Sequence, residues 1–317
     1  MSSNSTRLRG AAMLAATAIA WGGMFPIMKP LLTNIDPVSV TLIRFGFAVP
    51  VLVAFLIIKE GLGALSTEGR TFHLWWLGTL GFAGFGLLLV LGLNSTRPEH
   101  AAVIPALMPL IAIVVSSIRS RAMPTSRSLI AVMMGIAGVC LVVTRGELGS
   151  LLVGGAGHGE ALVLLGATCW VLYTFGASKY PSWSGLRFTT LTLTLGTLSI
   201  ALIEGVAVMV KLVALPSIDT LLRATPSFIY LVFAASVMGF LFWNTGMRAL
   251  GAARGVLFIN LVPVTAFGFA LVAGPRPSGW EFAGVALVIF ALMVNSLVPL
   301  KMPQVASAGE ANDPGCR

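Results

Sequence analysis

Ten apolar stretches run along this chain as two sets of five, at residues 8–144 and 159–298. Four residue pairs recur between the two sets at separations of 149 to 154 positions: Trp21 and Trp170, Lys29 and Lys179, Gly92 and Gly246, and Pro109 and Pro263. Because five is an odd number, the second set must enter a bilayer upside down relative to the first. The arrangement predicts an inverted repeat, with which many secondary transporters achieve alternating access.

Lipid must cover much of the surface, because 57% of the 317 residues are hydrophobic and only 10% are charged. Soluble domains carry about 25% charged residues. A helical span takes roughly 20 apolar residues, so ten spans leave no room for a soluble domain. We therefore predict an all-α integral membrane protein with ten transmembrane helices, built as two inverted five-helix repeats around a central cavity. A polar cytoplasmic tail would follow at residues 299–317.

Lysine and arginine residues predict the orientation of these helices. With the N-terminus inside, 13 of the 20 lie in inner segments and six in outer segments, and the bias holds in each half. Both termini are therefore predicted to be cytoplasmic, in a multi-pass protein of the inner (cytoplasmic) membrane. The net charge of +9 is scattered between apolar runs. Since it forms no basic patch, we expect the bilayer as a partner and no nucleic acid.

Two charged residues fall within predicted spans, Arg44 in the second and Glu204 in the seventh. Arg44 could face the cavity and meet an anionic group, or its side chain could reach the outer headgroups. Glu204 could be a protonatable coupling group, or it could be interfacial if its span ends near Ile203. The position equivalent to Arg44 in the second half is near Thr194, so this charge is not duplicated.

Aromatic residues recur at helical spacing on the first and sixth spans. Trp21 and Phe25 lie four residues apart on one face, and Trp170 and Tyr173 roughly repeat them. Such rings could line a cavity for flat or cationic solutes, or they could pack between helices.

Prolines interrupt the fourth and ninth spans. A proline lacks the backbone N–H, so one carbonyl oxygen of the helix loses its hydrogen-bond donor. In a membrane that carbonyl must face protein, water or a ligand. The full set of candidate cavity residues is Trp21, Phe25, Arg44, Asn94, Pro109, Trp170, Tyr173, Trp243, Asn244, Asn260 and Pro263.

Motifs of enzymes and metal sites are missing from the sequence. It has no phosphate-binding loop, no HExxH and no GxSxG, and its three histidines lie at span ends or in loops. Three cysteines offer no metal spacing. We therefore expect no enzyme activity, no catalytic residue, no metal and no cofactor. The expected partner is a small-molecule substrate.

Ala131 and Gly135 could support a homodimer through helices five or ten, or packing within the chain.

Several segments resemble the EamA-type permeases of the drug/metabolite transporter superfamily, and the resemblance extends from about residue 8 to 298. They are Ala20-Trp-Gly-Gly-Met-Phe-Pro26, Leu42-Ile-Arg-Phe45, Ala101–Pro109 and Gly251–Pro263. The resemblance implies ten helices, with helices one, three, four, six, eight and nine around the cavity, and export of small metabolites. Many members carry a Gly-Glu pair in the loops that here are residues 120–124 and 273–277.

The resulting hypothesis is a secondary transporter that exports amino acids, nucleobases or drug-like solutes by alternating access. One alternative is an importer or exchanger of anionic metabolites, in which Arg44 and the lysines bind the anion. Another alternative is a membrane sensor or scaffold that transports nothing.

Overall fold

The computed structural model describes residues 4–121, 123–147, 157–250, 258–259, 261–273 and 278–296. All regular secondary structure in these residues is helical. The α-helices are α1 (Asn4–Met28), α2 (Pro37–Glu60), α3 (Thr71–Gly78), α4 (Phe85–Ser95), α5 (Pro98–Val103), α6 (Met108–Ser120), α7 (Ser126–Thr144), α8 (His158–Ala177), α9 (Gly185–Met209), α10 (Ile218–Ile229), α11 (Gly239–Leu250), α12 (Leu261–Ala273) and α13 (Gly279–Ser296).

Seven helical stretches of the described chain are long and apolar enough to cross a membrane. Two shorter apolar helices, Leu129–Val142 and Gly279–Ala291, coincide with the predicted fifth and tenth spans. The predicted ninth span lies partly outside the described residues, and α12 is its described part. The seven long stretches are Ser5–Thr33, Pro37–Glu60, Thr71–Ser95, His100–Arg119, His158–Ala177, Gly185–Met209 and Ile218–Met247.

Prolines occupy two kinds of position in these helices. Pro37 and Pro98 are the first residues of α2 and α5, where a missing N–H loses no helical hydrogen bond. Pro226 instead lies inside α10. That helix starts earlier because the Ser217 hydroxyl caps it and accepts a 3.2 Å hydrogen bond from the backbone N–H of Thr220.

The third and eighth spans each contain a π-helical segment, at Thr79–Gly84 and Tyr230–Met238. A π turn adds one residue to the helix, and π turns occur frequently at functional sites. The C-terminal ends of the two segments are 154 residues apart, as are Gly92 and Gly246. The same irregularity therefore recurs at equivalent positions of the two halves.

Close glycine contacts join the halves in a repeated way. A Cβ on Gly246 of α11 would lie 2.8 Å from the carbonyl oxygen of Gly10 in α1. A Cβ on Gly159 of α8 would lie 2.6 Å from the carbonyl oxygen of Gly92 in α4. Gly10 and Gly159 are 149 residues apart, like Trp21 and Trp170. The α1–α11 contact thus recurs as α8–α4 with the halves exchanged, as a two-fold relation between repeats requires.

Helix α7 packs against α13 at another glycine pair. A Cβ on Gly138 would lie 2.7 Å from the carbonyl oxygen of Gly284. On the same helix Ala131 is fully buried, and a Cβ on Gly135 would meet the side chain of Leu110. Both small residues of α7 are therefore used in packing within the chain, and the homodimer stays a prediction.

Candidate functional site

Two pairs of predicted aromatic residues contact each other near the middle of the fold. The ring centroids of Trp21 on α1 and Trp243 on α11 are 5.2 Å apart. Those of Trp170 and Tyr173, both on α8, are 5.1 Å apart. The hydroxyl of Tyr173 lies 3.1 Å from the Thr192 hydroxyl, so this buried phenol has a polar partner.

Phe82 and Phe240 link these two pairs, although neither was in the predicted set. The Phe82 ring lies 5.9 Å from Trp170 and 5.7 Å from Phe240, and Phe240 lies 6.5 Å from Trp21. The available signal was their position on helices three and eight, which the family resemblance places around the cavity. The six rings, hereafter the aromatic core, are Trp21, Phe82, Trp170, Tyr173, Phe240 and Trp243.

The π-helical segment Tyr230–Met238 fixes the orientation of Trp21. The Trp21 indole Nε1 donates a 2.8 Å hydrogen bond to the carbonyl oxygen of Ala235 in that segment. A Cβ on Gly239 would lie 2.6 Å from the same nitrogen, so the close approach requires glycine there. The Tyr230 hydroxyl also donates to the Ala20 carbonyl at 2.9 Å. The irregular helix therefore supplies a carbonyl that holds the indole in place.

Arg44 lies beside the aromatic core and is only 5% exposed. Its Nε donates a 2.7 Å hydrogen bond to the Ser236 hydroxyl, and its guanidinium carbon is 4.9 Å from the centre of the Phe45 ring. Phe45 in turn contacts Phe82 at 5.7 Å. Within the described part of the chain, no carboxylate forms an ion pair with Arg44. The guanidinium is thus a buried cation, and it does not extend to the surface.

Glu204 is also buried, at 5% exposure. The helix does not end near Ile203, since α9 continues to Met209. The Ser39 hydroxyl donates a hydrogen bond to Glu204 Oε1, whereas Oε2 is buried without a hydrogen-bond partner among the described residues. Ser39 and Arg44 both lie on α2, so the helix that carries one charged candidate contacts the other.

Three other predicted residues lie outside the aromatic core. Phe25 is buried in an apolar cluster against which Trp21 and Trp243 also pack, but it makes none of the ring contacts that define the core. Asn94 is exposed at the end of α4, where its backbone carbonyl accepts a 2.8 Å hydrogen bond from Lys29 Nζ. Asn244 is half-buried, and its side-chain nitrogen lies 3.3 Å from the Thr189 hydroxyl. Their side chains therefore serve helix packing or helix ends in this conformation.

The predicted proline breaks lie in the fourth and ninth spans. Pro109 is the second residue of α6 and follows a 3₁₀ turn, Ile104–Leu107, which interrupts the fourth span. Pro263 is buried in the first turn of α12. Asn260 lies outside the described residues.

An ion cluster that the sequence did not predict joins the helices at one end of the fold. The Glu281 carboxylate is fully buried, and its Oε1 lies 2.7 Å from Arg97 Nη1, 2.9 Å from His100 Nε2 and 3.4 Å from Arg145 Nε. The other ring nitrogen of His100 is 3.3 Å from Glu160 Oε1. We call these five residues the Glu281 cluster. The sequence feature that could have indicated this cluster is an acidic residue in the first turn of the sixth and of the tenth span, Glu160 and Glu281.

The opposite end is held by a smaller contact between two loops. Glu68, after α2, pairs with Arg187 at 2.8 Å and accepts a 3.2 Å hydrogen bond from the Trp183 indole. The Arg187 guanidinium carbon lies 4.0 Å from the centre of the Trp183 ring. The Trp183 hydrogen bond lowers the pKa of the Glu68 carboxyl, desolvation opposes this, and Arg187 lowers that pKa further. Glu68 therefore stays ionised and connects the α2–α3 loop to Trp183 in the α8–α9 loop and to Arg187 in the first turn of α9.

The described residues contain no group of three His, Cys, Asp or Glu side chains that could hold a metal ion. The polar groups near the aromatic core are instead a guanidinium, hydroxyls and a phenol. Groups of this kind can orient a ligand by charge and hydrogen bonding.

Comparison with known proteins assigns the chain to a family. Residues 8–144 and 157–297 each match the EamA-like transporter family. The chain is 27% identical over 296 residues to the uncharacterized transporter YrdR of Bacillus subtilis (strain 168), covering 92% of both. It is 28% identical over 293 residues to the uncharacterized transporter YyaM of the same organism, covering 92% of this chain and 94% of YyaM. The fold is also similar to that of a crystal structure, with a TM-score of 0.65 and 19% sequence identity. The match covers 95% of this chain and 100% of the other chain, and at this identity it supports the fold alone. The chain therefore belongs to the EamA-like transporter family and is a multi-pass membrane transporter.

Proposed function

We propose that this protein is a secondary active transporter that exports small organic metabolites across the cytoplasmic membrane by alternating access. Its ten helices would form two inverted halves, with both termini in the cytoplasm. The observation that carries the proposal concerns Arg44. This residue is buried beside the aromatic core, and it forms no ion pair with a carboxylate among the described residues.

A solute with an anionic group would compensate this charge. Burying an isolated cation costs several kcal/mol unless a partner of opposite charge or good hydrogen bonds accompany it. Arg44 has the Ser236 hydroxyl and the Phe45 ring, which are weak partners for a full positive charge. The aromatic core offers flat apolar faces to the rest of the solute. Among amino acids, nucleobases and drug-like solutes, the site therefore favours those with a carboxylate beside an apolar or aromatic body.

Alternating access would involve the two ends of the fold in turn. The Glu281 cluster holds α5, α8 and α13 together at the predicted outer end. The repeated contacts of Gly10 with Gly246 and of Gly92 with Gly159 support a two-fold relation, which lets each half adopt the conformation of the other. Opening the outer end would require the cluster to separate.

Glu204 is the proposed coupling group. Its buried Oε2 has no partner among the described residues, so a proton taken up there would remove an unfavourable buried charge. Ser39 links Glu204 to α2, the helix that carries Arg44. Protonation of Glu204 could therefore change the position of the helix that binds the solute.

The second candidate function is exchange of anionic metabolites, and the unpaired Arg44 favours it as well. Counterflow separates the two, because an exchanger moves labelled solute only when unlabelled solute is present on the other side. Flux that follows a pH gradient without counter-solute supports export.

A two-stage experiment tests the proposal. A thermal-shift screen of amino acids, nucleosides and cationic drugs on the purified protein identifies a solute, and its flux is then measured in proteoliposomes. We expect Arg44→Ala to abolish flux while the protein remains inserted, and Arg121→Ala, at an exposed arginine, to retain it. Full flux in the Arg44 variant contradicts the site. A ligand-dependent melting shift without any flux in the native protein indicates a sensor instead.

A further inference from the structure

A cavity of about 420 Å³ opens at the predicted cytoplasmic end, between the α2–α3 loop and the loop after α8. Its volume is within the range of small-molecule sites, roughly 300 to 1,000 Å³. None of the residues that line this cavity belongs to the site formed by Arg44 and the aromatic core. The residues that line the cavity are Gly69, Arg70, Phe72, His73, Lys179 and Tyr180.

The residues that line this cavity carry net positive charge. Arg70 and Lys179 line it from opposite loops, and neither forms an ion pair with a carboxylate in the described part of the chain. No acid is among the lining residues. The neighbouring Glu68 pairs with Arg187 at 2.8 Å and also attracts Arg70 through space, so it offsets part of the positive charge while Lys179 has no acid among the lining residues. Two cations around one concave surface attract an anion and reject a cation.

Tyr180 forms a fixed aromatic wall of the cavity. It is 5% exposed, and its hydroxyl lies 2.6 Å from His73 Nδ1 while the two rings stack at 5.7 Å. The Arg70 guanidinium carbon is 5.4 Å from the centre of the Tyr180 ring. Burial raises the pKa of the Tyr180 hydroxyl, against a smaller effect of Arg70. The phenol therefore stays neutral at physiological pH and leaves the positive charge of the cavity unmatched.

A continuous series of rings connects this cavity to the substrate site. Tyr180 lies 5.3 Å from Phe188, and Phe188 lies 5.4 Å from Tyr173 of the aromatic core. The cavity is thus at the cytoplasmic end of the same aromatic series that reaches the neighbourhood of Arg44.

We propose that the cavity is a second anion-binding site, in which Arg70 and Lys179 bind a carboxylate or phosphate group while the aromatic lining, the exposed Phe72 and the edge of Tyr180, contacts the body that carries it. In the transport cycle it would receive the solute from the cytoplasm before Arg44 does, and this part of the inference rests on the proposed function. The same anionic chemistry could be supplied by a free solute or by a lipid headgroup.

Binding of benzoate to the full-length protein tests the site. The protein is placed in phosphatidylcholine nanodiscs and carries Arg44→Gln, so that calorimetry reads the cavity without the deeper site. We expect benzoate to bind, benzamide, its neutral counterpart, not to bind, and added salt to weaken the binding. Adding Arg70→Gln and Lys179→Gln should weaken benzoate binding by about tenfold or more. Adding Arg121→Gln, an exposed cation predicted to lie on the same side, should leave it unchanged.

A second arm identifies the source of the anion. If phosphatidylglycerol in the nanodiscs displaces benzoate, and the Arg70 and Lys179 variants retain less of that lipid, the occupant is a headgroup. If phosphatidylglycerol has no effect, the occupant is a solute. The proposal is overturned if the Arg70/Lys179 variant binds benzoate as tightly as the Arg121 control, or if benzamide binds equally well. Because no flux is measured, these results stand even if Arg44 proves unnecessary for transport.

Discussion

Arg44 Nε donates a 2.7 Å hydrogen bond to the hydroxyl of Ser236, and this bond connects α2 of the first half to the π-helical segment of the second. The Ser236 hydroxyl also donates to the Leu231 carbonyl at 2.8 Å. The buried charge beside the aromatic core is therefore held by Ser236, a residue whose own position depends on an irregular helix. A shift of that helix would move the guanidinium with it.

Removing this charge should abolish binding without destabilising the protein. We expect Arg44→Met to abolish the melting shift caused by an anionic solute, while the melting temperature of the unliganded protein stays equal or rises. The reason is that a hydrophobic residue of similar volume avoids the desolvation cost of an unpaired buried cation. Differential scanning calorimetry with and without solute measures both. A large fall in unliganded stability would mean that Arg44 is a structural residue.

The Glu281 cluster should be a major source of stability. Glu281→Ala removes the carboxylate that contacts Arg97, His100 and Arg145, and because both arginines are partly exposed the cost should be below the roughly 3 to 5 kcal/mol of a fully buried pair. Glu147→Ala removes an exposed acid near Arg145 and serves as the control, with little expected effect. Thermal unfolding in detergent compares the two variants. Equal melting temperatures would show that the cluster contributes nothing to the folded state.

The repeated glycine contacts make a steric prediction. In Gly159→Ala the new Cβ would lie 2.6 Å from the carbonyl oxygen of Gly92, so α8 and α4 must separate. Overpacking of this kind costs about 1 to 3 kcal/mol. Gly205→Ala is the matched control, because nothing lies within 4 Å of a Cβ there. Since alanine favours a helix, the control should be neutral or more stable by about 0.5 to 1 kcal/mol. The opposite order of stabilities would contradict the described helix contact.

Acid should release the loop contact of Glu68. Its pKa is lowered in the folded protein, first by the Trp183 indole hydrogen bond and then by Arg187. The contact therefore stabilises the protein above the unfolded pKa of about 4.3, and the contribution is lost as the pH falls through the lower folded value. Melting temperatures should be higher for the native protein than for Glu68→Gln at neutral pH and should converge in acid. A constant difference at all pH values would exclude an ionised Glu68 as the cause.

Glu204→Gln should uncouple transport from the pH gradient. An amide keeps the hydrogen bond from Ser39 but cannot take up or release a proton. We expect counterflow exchange to persist and net flux to lose its dependence on the pH gradient. Ser39→Ala retains the carboxyl group but removes its hydrogen bond to α2, so it should weaken the dependence of net flux on the pH gradient without abolishing it. Unchanged coupling in the Glu204 variant would remove this residue from the mechanism.

The repeat made part of the site predictable from the sequence. Trp21 and Trp170 were found because each recurs at the equivalent position of the other half, and both belong to the aromatic core. Phe82 and Phe240 were missed because their importance comes from contacts between helices that are distant in sequence. Asn94 was included, yet its side chain is exposed at a helix end. A sequence shows which residues share one face of a helix, but it does not show which helix packs against that face. The packing of helices decides which polar residues reach the centre of the protein.

The paired π-helical segments also record the history of the chain. They span six and nine residues, and their C-terminal ends occupy equivalent positions of the two halves. Two independent insertions at matching positions require two coincident events, whereas one insertion in an ancestral five-helix gene requires only one. The simplest account is that the extra residue was already present when that gene was duplicated. The irregularity has then been inherited twice, in two sequences that have otherwise diverged around it.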